Sequence, residues 1–137
     1  MLPLAFKMTD FGVSRDISTM NIKDSNLVYR RGTYKYMAPE QVIPHWRPAD
    51  AEDLFKVDVF QLGVVFFRLI FKAYPFDSIE TAGLKDEKFF DDFISSQKNV
   101  YKVPALSDSL KKLLTKMLHR DNRQRYTMQE VLSSPWF

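Results

Sequence analysis

Apolar and polar positions alternate with different periods along this chain, and each period predicts an element. Residues 4–8, Leu-Ala-Phe-Lys-Met, form a short apolar run ending in Thr-Asp-Phe-Gly, the pattern of a strand entering a turn. Residues 13–36 are rich in Ser, Thr and charge and hold no period, which predicts a long loop; long loops in compact domains tend to be functional. Ala38-Pro39-Glu40 opens a short helical segment, with proline near the first turn, where its missing N–H costs nothing. Residues 53–72 predict a helix with apolar residues on nearly every side, from Leu54 to Ile70, the mark of a helix buried in a larger body. Tyr74-Pro75-Phe76 ends it. Residues 85–97 place Phe89, Phe90, Phe93 and Ile94 on one face of a further helix. Over 107–118, Leu110, Leu113, Leu114, Met117 and Leu118 follow helical spacing behind Ser107 as N-cap. Thr127 to Glu130 is a capping-box signature for a last short helix, stopped at Pro135. The chain is therefore expected to be mainly α, with a short β-strand or hairpin at the N-terminus and no internal repeat.

Composition narrows the options. With 137 residues, 45 % of them hydrophobic and 27 % charged, the chain has the make-up of one folded domain and not of a disordered tail. The absence of cysteine excludes a disulfide scaffold, a thiolate zinc site and a cysteine nucleophile. His45 and His119 are too few and too separated to suggest a metal site. The net charge is +3, and the stretch from Lys102 to Arg125 is basic. Lys111, Lys112 and Lys116 interleave with leucines at helical spacing, so a solvated helix face is expected there and no nucleic-acid partner. The apolar run from Leu62 to Phe67 is stopped by Arg68, far short of the ~20 residues of a membrane span. No basic stretch precedes Leu2–Phe6, as a secretory signal would require, so a cytoplasmic protein without a membrane partner is expected.

The chemistry begins at Asp10-Phe11-Gly12. A carboxylate at a strand end is a hard oxygen ligand suited to magnesium on nucleotide phosphates, and glycine permits the turn. Alone the triplet is equally an ordinary strand-end turn. Its neighbours change the reading. Asp10-Phe-Gly, a Ser/Thr-rich loop, Gly32-Thr-Tyr-Lys-Tyr-Met-Ala-Pro-Glu40, Asp58-Val-Phe-Gln-Leu-Gly63, Pro75-Phe76 and Asp121-Asn-Arg-Gln-Arg125-Tyr-Thr127 occur in one order. In that order the chain resembles the C-terminal lobe of eukaryotic protein kinases, over essentially its whole length. Gly32-Thr33 ahead of Tyr36 is similar to the serine/threonine class, and the tail resembles calcium/calmodulin-regulated and related kinases.

The resemblance implies roles. Asp10 matches the magnesium-binding aspartate, and so the nucleotide cofactor site; Phe11 matches the apolar residue whose packing separates active from inactive arrangements, beside Gly12 of the same turn. Thr33 matches the threonine of the substrate-binding loop that steadies the catalytic aspartate. Asp58 matches the carboxylate that holds the catalytic loop from beneath. Glu40 and Arg125 match a buried ion pair bracing the substrate-binding surface. Residues 10–40 would be the magnesium turn and activation segment, with Thr19, Ser25 and Tyr29 as candidate phosphorylation sites near Arg30 and Arg31, and 41–137 the helical lobe. Val65 and Leu69 match positions that anchor an apolar column toward the adenine ring, and plain core packing accounts for them equally. Three positions depart from the pattern: Phe60 stands where tryptophan is usual, Arg68 where the family is often acidic, which counts against a preference for basic substrates, and Asn122 where proline is common, a change expected only to loosen a turn.

Phosphoryl transfer also needs a glycine-rich flap, a lysine with its glutamate partner, and a catalytic aspartate with a magnesium-binding asparagine. No segment here resembles these. The expectation is a partial Ser/Thr kinase domain whose full-length parent would use ATP and magnesium on a protein substrate. The 137 residues themselves would carry no catalytic base, bind neither cofactor tightly and leave an apolar patch uncovered. The alternative is a pseudokinase-type fragment that binds a substrate or regulatory protein.

Overall fold

Asp50 starts the central element. Its carboxylate accepts a hydrogen bond from the Asp53 backbone N at 3.2 Å, and Glu52 and Asp53 place negative charge at the positive end of the helix. From there α1 runs over Ala51–Phe71 and ends where Lys72 turns left-handed at φ 57°. In this computed structural model, described for residues 4–24, 26–97 and 105–137, three further helices follow: α2 (Lys88–Gln97), α3 (Asp108–Met117) and α4 (Met128–Leu132). Ser107 Oγ accepts from Leu110 N at the start of α3, and α4 opens on a reciprocal capping box between Thr127 and Glu130. Single helical turns at Ile17–Thr19, Tyr34–Tyr36, Pro39–Val42 and Asn122–Gln124 punctuate the loops.

The fold is mainly α, and the described residues form no strand. The strand expected at residues 4–8 is absent: Leu4, Phe6 and Met8 are 83 %, 88 % and 85 % exposed. A strand needs a neighbour's N–H and C=O groups, and no described segment hydrogen-bonds to this one. One isolated parallel bridge, Leu84 with His119, ties the loop after α1 to the end of α3 through Leu84 N to Leu118 O (2.8 Å) and Arg120 N to Leu84 O (2.9 Å). Gly83 just ahead of it has φ +97°, and a Cβ there would lie 2.5 Å from Arg120 Cα, so only glycine lets the two backbones meet.

α1 is buried on one side only. Val57, Phe60, Val64 and Phe67 are almost wholly enclosed, whereas Phe55, Val65 and Leu69 face outward. The described residues enclose one side of it, and Val65 and Leu69, 39 % and 63 % exposed, belong to the apolar side they leave uncovered. On the enclosed side Gly63 allows close approach: a Cβ there would sit 3.0 Å from Leu118 Cδ2 and 3.1 Å from Met117 Cβ. α2 docks by its aromatic face. Phe67 is the hub, with ring centroids 4.4 Å from Phe71 and 5.0 Å from Phe93, and Phe89 and Phe90 close around it.

Candidate functional site

The loop from Asp10 to Glu40 is held mainly at its far end. Asp10 sits in the left-handed region at φ 61°, a conformation that aspartate tolerates better than most residues, and its side chain is exposed. Phe11 is 63 % exposed and belongs to neither hydrophobic cluster of the described residues; Gly12 is exposed beside it. Asp16 caps the Ile17–Thr19 turn, accepting from Ser18 N at 2.9 Å and Ser18 Oγ at 2.6 Å, and these bonds hold its carboxyl below the ordinary range. Thr19 Oγ1 donates to Asp16 O at 3.1 Å. The Arg30 guanidinium lies 5.6 Å from the centre of the Tyr29 ring, while Arg31 Nε donates to Asn26 O at 3.1 Å. Ser25 lies outside the described residues.

Gln41 pins this loop. Its Nε2 donates to Val28 O and Arg31 O, at 3.2 and 2.9 Å, and its Oε1 accepts from Ala38 N and Gln61 Nε2, both at 2.9 Å. All four hydrogen-bonding sites of a buried amide are filled, so Gln41 ties the loop, the Ala38 turn and α1 into one unit. Beyond Gly32, at φ 101°, Thr33 caps the Tyr34–Tyr36 turn with its side chain free and exposed.

Glu40 and Arg125 meet in the interior. Arg125 Nη1 donates to Glu40 Oε1 at 2.6 Å and Nη2 to Oε2 at 3.0 Å, a bidentate pair with both side chains almost wholly enclosed. The remaining donors of Arg125 reach His119 O and Lys56 O, and its guanidinium lies 4.9 Å from the centre of the Phe60 ring. Phenylalanine at position 60 thus still supplies an aromatic face for the cation. Asn122 corrects a sequence expectation. It is buried, and its Nδ2 donates to Glu40 Oε1 at 2.8 Å and to Asp53 O at 3.0 Å, so it joins the ion pair to α1 where a loosened turn was expected. Neither Gln41 nor Asn122 shows a periodic or charge signal that marks it out in advance.

Asp58 stands apart from this network. It projects from the outer side of α1, and no described group hydrogen-bonds to it. Desolvation by the surrounding helix pushes its carboxyl above the ordinary aspartate range. Because the folded chain then holds this proton more tightly than the unfolded one, Asp58 opposes folding once pH rises through the raised value. The opposition vanishes below the unfolded value near ~3.9. Asp58→Asn is therefore expected to raise the melting temperature of this chain at pH 7 and to leave it unchanged near about pH 3. Melting curves across that range check the sign; a gain independent of pH counts against an unpartnered carboxylate.

The structure brings Glu40 and Arg125 together but gathers no ligands around Asp10. Among the described residues no three His, Cys, Asp or Glu side chains are placed to hold a metal ion. Magnesium wants six oxygen ligands in strict geometry. One exposed carboxylate does not supply that set, and among the described residues no other carboxylate joins it. No helix among them is long and apolar enough to cross a membrane.

Known proteins carry the same arrangement of sequence. The chain is 31 % identical over 136 residues to the serine/threonine-protein kinase ssp1 of Schizosaccharomyces pombe, covering 95 % of this chain and 20 % of that protein. It is 31 % identical over 135 residues to the human SNF-related serine/threonine-protein kinase, covering 95 % and 15 %. With the serine/threonine-protein kinase par-4 of Caenorhabditis elegans it shares 30 % identity over 131 residues, covering 96 % and 20 %. The chain thus spans a fifth or less of these relatives. The family model for the protein kinase domain matches residues 3–137, and the chain belongs to the protein kinase family.

Proposed function

We propose that these residues form the magnesium turn and activation segment (10–40) and the helical lobe (41–137) of a serine/threonine protein kinase acting on protein substrates in the cytoplasm. The observation that carries this reading is the bidentate Arg125–Glu40 bond, with Gln41 beside it, because together they fasten the Gly32–Glu40 loop to the helical body. A loop held in this way offers an extended substrate a fixed surface beside Thr33. In the parent protein the terminal phosphoryl group leaves ATP, its bond to the bridging oxygen breaks, and a new bond forms to a serine or threonine oxygen. The hydroxyl proton passes to a catalytic aspartate that is not among these 137 residues. Asp10 contributes one carboxylate to a magnesium site completed elsewhere in the domain, Phe11 and Gly12 shape its turn, and Thr33 steadies the catalytic aspartate. Asp58 has no partner here and is free to accept hydrogen bonds from the loop bearing that aspartate. Thr19, Ser25 and Tyr29 are the candidate positions at which phosphorylation would order the segment, with Arg30 and Arg31 at hand for the new charge. Alone, these residues transfer nothing and hold ATP and magnesium weakly.

The test uses the full-length product of the gene encoding this chain, incubated with labelled ATP, magnesium and mixed peptides, followed by phosphoamino-acid analysis. Label on serine or threonine, absent from the 137 residues assayed alone, is the expected result. Label on tyrosine overturns the class. A folded full-length product that transfers no label, yet retains a bound protein, overturns the enzyme reading in favour of a pseudokinase-type binding module.

A further inference from the structure

One side chain closes the loop that carries Thr33 at both of its ends. Gln41 Nε2 donates to Arg31 O, just ahead of that loop, and Gln41 Oε1 accepts from Ala38 N, just beyond the Tyr34–Tyr36 turn, both at 2.9 Å. The same Nε2 donates to Val28 O at 3.2 Å, and the Gln41 backbone O accepts from Arg30 N at 2.7 Å. Among the described residues, each hydrogen bond that residues 28–31 make to a residue beyond 31 goes to Gln41. Gln61, on α1, donates to Gln41 Oε1 at 2.9 Å and so fixes the amide itself to the helical body. Gln41 is only 2 % exposed.

The held stretch is a tight turn. Arg31 N donates to Val28 O at 3.2 Å, and Arg30 lies in the left-handed region at φ 49°, which a non-glycine residue adopts only where its surroundings hold it there. The carbonyls at the two ends of this turn converge on one primary amide, and the N–H between them turns to the backbone of the same residue. Val28 also packs against the main core. Packing by itself does not call for an amide here, since methionine fills the same length, and a buried amide is costly unless its bonds are made. Every group in these bonds is neutral and belongs to the chain. A segment ordered by phosphorylation docks through a dianion gripped by arginines. This turn docks through carbonyl, amide and N–H groups whose bonds are complete among themselves, and Arg31 spends its Nε on Asn26 O.

We propose that Gln41 is a positioning residue for the substrate loop: it sets the span from Arg31 to Ala38, and with it the place of Thr33, without phosphate on the segment. This deepens the kinase reading and rests on it for what the loop binds, but the clasp itself does not depend on phosphoryl transfer. Tyr29 lies inside the clasped turn, so phosphorylation there is not what orders it. Control by added phosphate falls to Thr19 and Ser25, ahead of the turn. Gln61 acts through Gln41, by holding its Oε1 where Ala38 N also meets it.

The experiment follows amide hydrogen exchange in the full-length protein after phosphatase treatment, together with steady-state phosphorylation of a serine peptide. In the phosphate-free protein the Arg30 and Ala38 amides are expected to be protected. Gln41→Met keeps the length and bulk of the side chain and removes its donors and acceptor. Gln41→Glu keeps the acceptors and sets a carboxylate against the Val28 and Arg31 carbonyls. Both are expected to speed exchange at Arg30 and Ala38 by about ten-fold or more, with α3 unchanged. Both are also expected to raise KM for the peptide by about ten-fold, with KM for ATP unchanged. Gln61→Leu, at a half-buried site, is expected to give the same pattern at about three-fold, and it decides the matter if neither Gln41 variant folds. Protection that appears only after phosphorylation, or that survives these substitutions, overturns the proposal. A loss of kcat with the peptide KM unchanged overturns the positioning role. A wild-type protein that transfers no phosphoryl group refutes the kinase reading, and the exchange rates alone then judge the clasp.

Discussion

Arg125→Ala lowers the unfolding free energy of this chain by about 3–5 kcal/mol, whereas Arg123→Ala changes it by no more than about 0.5 kcal/mol. The two arginines stand two positions apart and differ in surroundings. Arg125 is 1 % exposed and spends its donors on Glu40, His119 O and Lys56 O, while Arg123 is exposed and no described group bonds to its guanidinium. Truncating Arg125 leaves the Glu40 carboxylate buried with only Asn122 Nδ2 for company, and the two carbonyls lose their donor. The cost is that of an orphaned charge, not the worth of the pair. Glu40→Leu with Arg125→Met is accordingly expected to recover much of the loss, though not all, because His119 O loses the Arg125 donors while Lys56 O keeps only its bond within α1. Urea denaturation of the four proteins reads these values, and equal losses for Arg125→Ala and Arg123→Ala refute the pairing.

Phe67→Ala is the other large loss, again about 3–5 kcal/mol. Phe67 is wholly buried and touches rings from both α1 and α2, so its removal leaves a cavity that two helices cannot close without shifting. Phe55→Ala on the outer side of the same helix, where the ring is 44 % exposed, is expected to cost well under half as much. Because α2 is held through Phe89, Phe90 and Phe93 around that ring, its amides should lose hydrogen-exchange protection before those of α3 do. Unchanged protection of α2 in Phe67→Ala would mean that the aromatic cluster is not what docks it.

The Arg125–Glu40 bond fastens the loop that carries Thr33 to the body, and the Phe67 cluster docks α2 on α1 within the main core. Under the proposed function, loss of the first is expected to alter substrate handling directly and loss of the second to act only through stability.

The helices were legible from local pattern. The leucines and methionine of α3 recur at helical spacing behind Ser107, and Thr127 with Glu130 form the capping box that their order announces. Such signals depend on residues within a turn of each other, so they survive without knowledge of the rest of the chain. The residues that would take part in chemistry were named through the resemblance of the motifs, and of these only Glu40 and Arg125 are brought into contact. Which side of α1 is enclosed did not follow from its sequence, because apolar residues lie all around it and the choice belongs to α2 and α3 packing on one side. Gln41 was passed over, and Asn122 was read only as loosening a turn, for the same reason: a buried amide is useful only through partners distant in sequence, and neither residue type nor spacing reports them. Lys35 and Arg68 were visible as charges, but their convergence on the Tyr74 ring arises where a loop crosses the end of a helix. Local spacing thus specified the helices and their caps, whereas the enclosed ion pair and the pinned loop came from contacts between segments far apart in the chain, which periodicity does not encode.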